Sequence, residues 1–275
     1  EAWADAERSR IGEERFRREH ECEFLIFDET LINSITLADM EGVPPVESTG
    51  QVRWFKRPTP GMTYLVSLDP SMGTGGDYAA IQVFELPTFE QVGEWHHNMT
   101  PMNQQVRILQ GINKHIHDTI IEKDSSASPQ IFYSMENNTI GEAALMRVMD
   151  IGEENIVGMF LSEPIRKGHR RKFRRGFNTT AKHKIDACTK FKELIESGKM
   201  KINSQLLISE MKDFVATGLS YKAKPGQHDD LVSSCLLMTR MMKVLADFDP
   251  KIFEKWTDRS SEMTTPMPIF GNFYG

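Results

Sequence analysis

Two rhythms of apolar positions alternate along this chain. Thr63–Asp69 (TYLVSLD), Asp77–Glu85 (DYAAIQVFE), Phe89–His97 (FEQVGEWHH), Gln130–Glu136 (QIFYSME) and Asn155–Phe160 (NIVGMF) are short runs rich in apolar and β-branched residues, which predicts strands. Elsewhere the period lengthens to helical steps. Val106, Leu109, Ile112, Ile116 and Ile120 recur every three or four residues, one apolar helical face. Helices are also expected from about Thr139 to Met149, over Thr180–Ser197 with Gly198 as a stop, and over Asp229–Leu245. The last turns Leu231, Cys235, Met238, Met242 and Leu245 inward. At the front, Ala2–His20 is dense in Ala, Glu and Arg and suits an exposed helix; Cys22–Phe27 reads as a short strand. Glu47–Gly61, carrying Pro58 and Pro60, is a lead-in to a new domain, and the Pro- and Gly-bearing residues after Asp249 read as a loosely held tail.

The order of these elements fixes a fold class. The first three strands are joined by short turns and should pair antiparallel. The fourth and fifth are reached through helices and should join in parallel. A mixed five-stranded α/β sheet of this order, flanked by helices, is the ribonuclease H-like arrangement. Three parts are expected: 1–57, a linker and the tail end of a preceding domain; 58–249, the sheet domain; and 250–275, the tail.

Composition narrows the partners. With 33 Lys and Arg against 39 Asp and Glu the chain carries −6, which excludes a uniformly basic nucleic-acid-coating protein. Most of that charge sits in residues 1–57, where 8 basic residues meet 13 acidic ones. No run approaches eighteen apolar residues, so no membrane-spanning helix is expected. Cys22, Cys188 and Cys235 are far apart and lack metal-type spacing, which reads as free thiols in a reducing compartment. The opening Glu1, without a signal-peptide pattern, suggests a piece of a longer intracellular protein.

The candidate chemistry lies in acids at element ends. Asp69 closes the first strand, Glu136 closes the fourth, and Asp229-Asp230 open the final helix. Each alone reads as a turn or cap residue. Together they would converge, and such a set cannot stay ionised without cations. Hard divalent ions with oxygen ligands suit it, magnesium above all. Two such ions support hydrolysis of a phosphodiester. The turn Gly73-Thr74-Gly75-Gly76 is no phosphate loop, because the chain contains no G-x-x-x-x-G-K-[ST] string. It is a flexible stretch beside the metals or simply a hairpin turn, and Asp77 after it is a turn residue or an auxiliary acid. His96-His97 and His115-x-His117 diverge in direction and are taken as structural or surface residues.

A basic stripe adds a second signal. Arg166, Lys167, Arg170, Arg171, Lys172, Arg174, Arg175, Lys182 and Lys184 fall within nineteen residues that hold no acid. Such a cluster suits phosphate contact with DNA, with Phe173 and Phe177 in support. The alternative is a solvated loop facing an acidic partner.

The motifs LVSLDPSMGTGGDYAAI (65–81), IFYSMENNTIG (131–141), GFNTTAKHK (176–184) and GQHDDLVSSCLL (226–237) resemble, in order, those of the nuclease domain of large terminase subunits of tailed double-stranded-DNA bacteriophages, the T-even-like myovirus branch above all. FRREHECEFLIFDETLI (16–32) resembles the end of that family's ATPase domain. The resemblance implies a magnesium-dependent endonuclease that cuts concatemeric double-stranded DNA with two metal ions, manganese able to substitute. It implies Asp69 as the shared ligand, Glu136 and Asp230 completing the two sites, and Asp229 as an auxiliary. It also implies partners, namely the ATPase domain, a portal protein and a small terminase subunit, and a place in the cytoplasm of the infected bacterium. Two other readings are a different ribonuclease H-like nuclease (resolvase, ribonuclease or transposase core) and a non-catalytic portal-docking module.

Overall fold

The computed structural model describes residues 2–11, 16, 29–164 and 175–248. The expected strand Cys22–Phe27, the stripe from Arg166 to Arg174 and the tail after 249 lie outside the described residues, as does most of the second half of the Ala2–His20 helix.

The strands run β1 (Glu47–Thr49), β2 (Val52–Trp54), β3 (Thr63–Asp69), β4 (Ala79–Leu86), β5 (Glu90–His97), β6 (Gln130–Met135) and β7 (Met159–Phe160). They form one sheet in the order β1-β2-β5-β4-β3-β6-β7. As expected, β3, β4 and β5 are antiparallel neighbours, and β6 and β7 add in parallel. The sheet has seven strands rather than five, because the lead-in folds into the hairpin β1–β2 on the edge of β5. Its three-residue strands are too short to display an alternation. The fifth expected strand shrinks to Met159–Phe160, with Glu153–Asn155 coiled into a 3-10 turn. A separate hairpin pairs β8 (Phe214–Thr217) with β9 (Ser220–Ala223).

The helices are α1 (Ala2–Ile11), α2 (Ser34–Asp39), α3 (Met102–Lys123), α4 (Thr139–Ile151), α5 (Ala181–Glu196), α6 (Gln205–Asp213) and α7 (Asp230–Phe248). The sheet separates two cores. On one face Tyr64, Val66 and Leu68 of β3 pack with Val106, Leu109 and Ile112 of α3 and Leu145 and Val148 of α4. On the other, Leu65 joins Phe191 of α5, Leu207 of α6 and Leu231, Cys235 and Met238 of α7. The period-2 alternation of a strand therefore puts Ser67 and Asp69 on the α7 side with Leu65. Residues before 58 also pack here: Leu31, Ile32 and Leu37 enter the α7-side core, and the Leu31 amide donates to the Phe214 carbonyl at 3.1 Å.

Candidate metal-dependent nuclease site

β3 and β6 are paired in register from Thr63↔Gln130 to Leu68↔Met135, so the next step sets Asp69 beside Glu136. The Glu136 amide extends the ladder by donating to the Leu68 carbonyl at 3.2 Å. Parallel neighbours in register present side chains to the same face, so both carboxyls turn toward α7. The helix is fixed by a clamp of small hydroxyls. Ser67 Oγ lies 2.9 Å from Ser234 Oγ, and Ser234 Oγ donates to the Ser67 carbonyl at 3.0 Å, all fully buried. Asp69 is two residues along β3 from Ser67, and Asp230 is one helical turn before Ser234. One contact thereby sets the relation between the two acids.

Two glycines admit the flanking loops. A Cβ on Gly141 would lie 1.8 Å from the Glu136 carbonyl oxygen, so only glycine lets α4 begin so close to that acid. Asn138 caps the helix, its Oδ1 accepting from the Ile140 and Gly141 amides, while its Nδ2 donates to Glu136 Oε2 at 2.9 Å. Gly176, with φ +77°, brings the segment before α5 against the Met135 carbonyl. Phe177 then extends the sheet beside Glu136, and Thr180 caps α5. The motif residues around each acid are thus cap, close-approach and pairing positions.

The acids are crowded. Burial first, then the charges of Glu136 and Asp230, a hydrogen bond shared with Glu136, and the charge of Asp229 push the Asp69 carboxyl well above the usual aspartate range. Burial raises Asp230 to about 6, aided by the charges of Asp229 and Asp77 and opposed by the Tyr78 amide. Asp230 Oδ2 accepts from that amide at 3.3 Å. Asp229 Oδ2 instead accepts from the Ala223 amide at 3.3 Å and faces Lys184 Nζ at 4.0 Å. The structure therefore brings Asp69, Glu136, Asp229 and Asp230 together, with Asp77 exposed nearby. A converging set of oxygen donors, in which burial and neighbouring charge hold Asp69 and Asp230 away from their charged state, fits a divalent cation.

Of the stripe residues described, Lys184 lines the pocket containing Asp69 and Glu136, whereas Lys182 is exposed on α5. Arg175 is engaged within the fold: it pairs with Glu153 and lies 5.2 Å over the Phe160 ring. Phe177 is buried, so stacking on a base is excluded for it. The Gly-rich turn is held rather than loose. Gln105 Nε2 donates to the Ser71 and Thr100 carbonyls at 2.9 and 2.7 Å, and the Gly75 amide donates to the Asn98 carbonyl at 2.9 Å.

Sequence reasoning missed three residues. Arg240 lines the same pocket, pairs with Glu163 and donates to Thr179 Oγ1 at 3.0 Å. Its signal was a lone arginine on the last helix, at a helical step from Asp230 and Ser233. His96 and Glu210 meet Asp230 in a second cluster, from elements far apart in sequence. The two adjacent histidines do diverge: His97 Nδ1 lies 2.7 Å from Thr100 Oγ1, on the Gly-rich-turn side. Taking His96 as merely structural overlooked the carboxylates it faces.

The sequence model of the family described as the terminase RNaseH-like domain matches residues 66–241. The crystal structure of the large terminase nuclease from thermophilic phage G20c superposes with a TM-score of 0.56 at 17% identity, covering 76% of this chain and 97% of that one. Its form with bound magnesium gives the same TM-score and identity over 78% and 97%. The Thermus phage P74-26 large terminase nuclease domain gives 0.52 at 18% identity, covering 74% and 91%. At these identities the likeness to solved structures speaks for the fold. Among the described residues, no helix is long and apolar enough to cross a membrane.

Proposed function

This chain belongs to the terminase RNaseH-like domain family, and from that premise we propose that it is a magnesium-dependent endonuclease cutting concatemeric double-stranded DNA during viral genome packaging. The observation that carries the reading is the register-fixed meeting of Asp69 with Glu136 under Asp230. Two magnesium ions bound there would supply an activated water and stabilise the leaving oxygen, giving a 5′-phosphate and a 3′-hydroxyl. Asp69, Glu136 and Asp230 would hold the ions, and Asp229, facing Lys184, would steady the far side. Asn138 orients Glu136 by donating to Oε2. Lys184 and Arg240, at the rim of the same pocket, hold the scissile strand's phosphates, and the stripe from Arg166 to Arg174 extends that contact along the backbone with little sequence readout.

In the assembled packaging machine this domain follows an ATPase domain and works at a portal with a small terminase subunit, in the cytoplasm of the infected bacterium. Residues 1–57 are the junction with that motor, its last part packed on the nuclease core. The test is plasmid nicking by the chain with magnesium and no ATP, beside EDTA and manganese arms. Cleavage in both metals, none in EDTA, and no phosphate release from ATP are expected. A preference for four-way junctions or RNA–DNA hybrids over linear duplex would favour a different ribonuclease H-like nuclease, and no cleavage of any substrate would favour a docking module.

A further inference from the structure

On the far side of Asp230 from the pocket lies a donor set of different chemistry. One ligand-type atom from each of His96 on β5, Glu210 on α6 and Asp230 on α7 falls within 4.8 Å of the other two. All three side chains are held. The His96 ring is stacked on Tyr78, with centroids 4.1 Å apart and planes 16° from parallel. Glu210 Oε2 accepts from the Leu231 and Val232 amides at 2.8 and 3.1 Å, which leaves Oε1 turned toward His96. Asp230 is set by the Tyr78 amide.

The cluster is not satisfied by its own members. His96 Nε2 is buried without a hydrogen-bond partner, and its 3.7 Å separation from Glu210 Oε1 is too long for one. A shared cation resolves this. Two ligand atoms 3.7 Å apart, each about 2.1 Å from an ion, subtend roughly 120°, an ordinary angle for zinc-type coordination. An imidazole nitrogen among the donors selects against magnesium, which takes oxygen ligands, and for zinc or cobalt.

We propose that His96, Glu210 and Asp230 form a separate site for a divalent ion of the zinc and cobalt class, and that an ion there withdraws Asp230 from the nuclease carboxylates. The binding half stands by itself; the inhibition half rests on the nuclease reading of Asp230.

The test titrates cobalt(II) chloride into the full chain in excess magnesium and follows the visible absorption of imidazole-bound cobalt, then its displacement by zinc chloride. The wild type should take up one such cobalt. Asp69→Asn should keep it, because Asp69 is not a ligand, whereas His96→Gln and Glu210→Gln should bind at least about ten-fold more weakly. Zinc should stop magnesium-supported nicking by the wild type at a concentration about ten-fold below that needed for His96→Gln. Unchanged cobalt binding by folded His96→Gln, or its loss in Asp69→Asn, would place the ion among the carboxylates and overturn the site. The Asp69→Asn arm decides the matter even if His96→Gln does not fold. Cobalt binding as expected with no nicking under any condition would leave this site standing and sink the nuclease reading instead.

Discussion

Among single residues, Asp69 bears the most direct test. Its carboxyl is buried against Glu136 and raised by it, so charging it in a metal-free protein opposes folding. Asp69→Asn should therefore do two opposite things: raise the melting temperature in EDTA, and lower magnesium-supported cleavage by about 1,000-fold or more, the equivalent of several kcal/mol of metal-held stabilisation. Added magnesium should stabilise the wild type against heat and the variant far less. A variant that cuts at the wild-type rate removes Asp69 from the chemistry. Asp229→Ala should lose less activity than Asp230→Ala, since Asp229 is already engaged by the Ala223 amide and Lys184. At this scale the sequence was most informative about acids at the ends of strands and helices. Arg240, His96 and Glu210 were hidden because their meaning arises only when α6, α7 and β5 are brought together, and no spacing along the chain encodes that.

Elements position the site through contacts that carry no chemistry of their own. The Ser67–Ser234 clamp ties the centre of β3 to the first turns of α7, each hydroxyl donating to the other residue's carbonyl and the two hydroxyls meeting, so removing one hydroxyl takes away two of the three buried contacts. Ser67→Ala or Ser234→Ala should cost about 1–3 kcal/mol in urea unfolding, with the double variant costing clearly less than the sum. Magnesium-supported cleavage by the folded variants should also drop, as Asp230 loses its register with Asp69; full additivity and normal cleavage would show that the helix is held elsewhere. A second tie lies at the opposite end of the sheet. Burial alone would raise Glu90, yet hydrogen bonds from Lys201, Lys56 and Asn203 pull it down to about 2. A depressed carboxylate stabilises the fold above its unfolded value near 4.5, and that contribution is lost as pH falls from 4.5 toward 2. Glu90→Gln should cost about 1–2 kcal/mol at pH 7, solvent screening included, and flatten the stability profile over that acid window. An equal slope in both proteins would mean the lysines contribute nothing. The longer elements were legible because their apolar periods are strong; β1–β2 was not, because three-residue strands on a sheet edge gain their order from β5 rather than from their own pattern.

The whole molecule combines an acidic surface with one concentrated basic segment. Net charge of −6 repels duplex DNA at a distance, so whatever affinity the chain has must come from local phosphate contacts. Of the stripe's members, Arg175 is committed to Glu153 and the Phe160 ring. It should be left in place when the stripe is tested. Replacing Arg170, Arg171 and Arg174 by Ala should weaken duplex binding about equally for unrelated sequences. The dependence of log affinity on log salt should flatten by about 0.9 for every phosphate that the variant no longer neutralises, up to roughly three times that for the triple replacement. Binding in calcium, which should occupy oxygen ligands without supporting the cut, separates affinity from cleavage. The separate replacement Lys184→Ala, beside Asp69 and Glu136, should lower the cleavage rate more than the affinity, because it acts at one phosphate only. If the triple variant keeps both its affinity and its salt slope, the stripe does not face DNA, and the binding surface must be sought along the pocket rim formed by Thr179, Lys184 and Arg240.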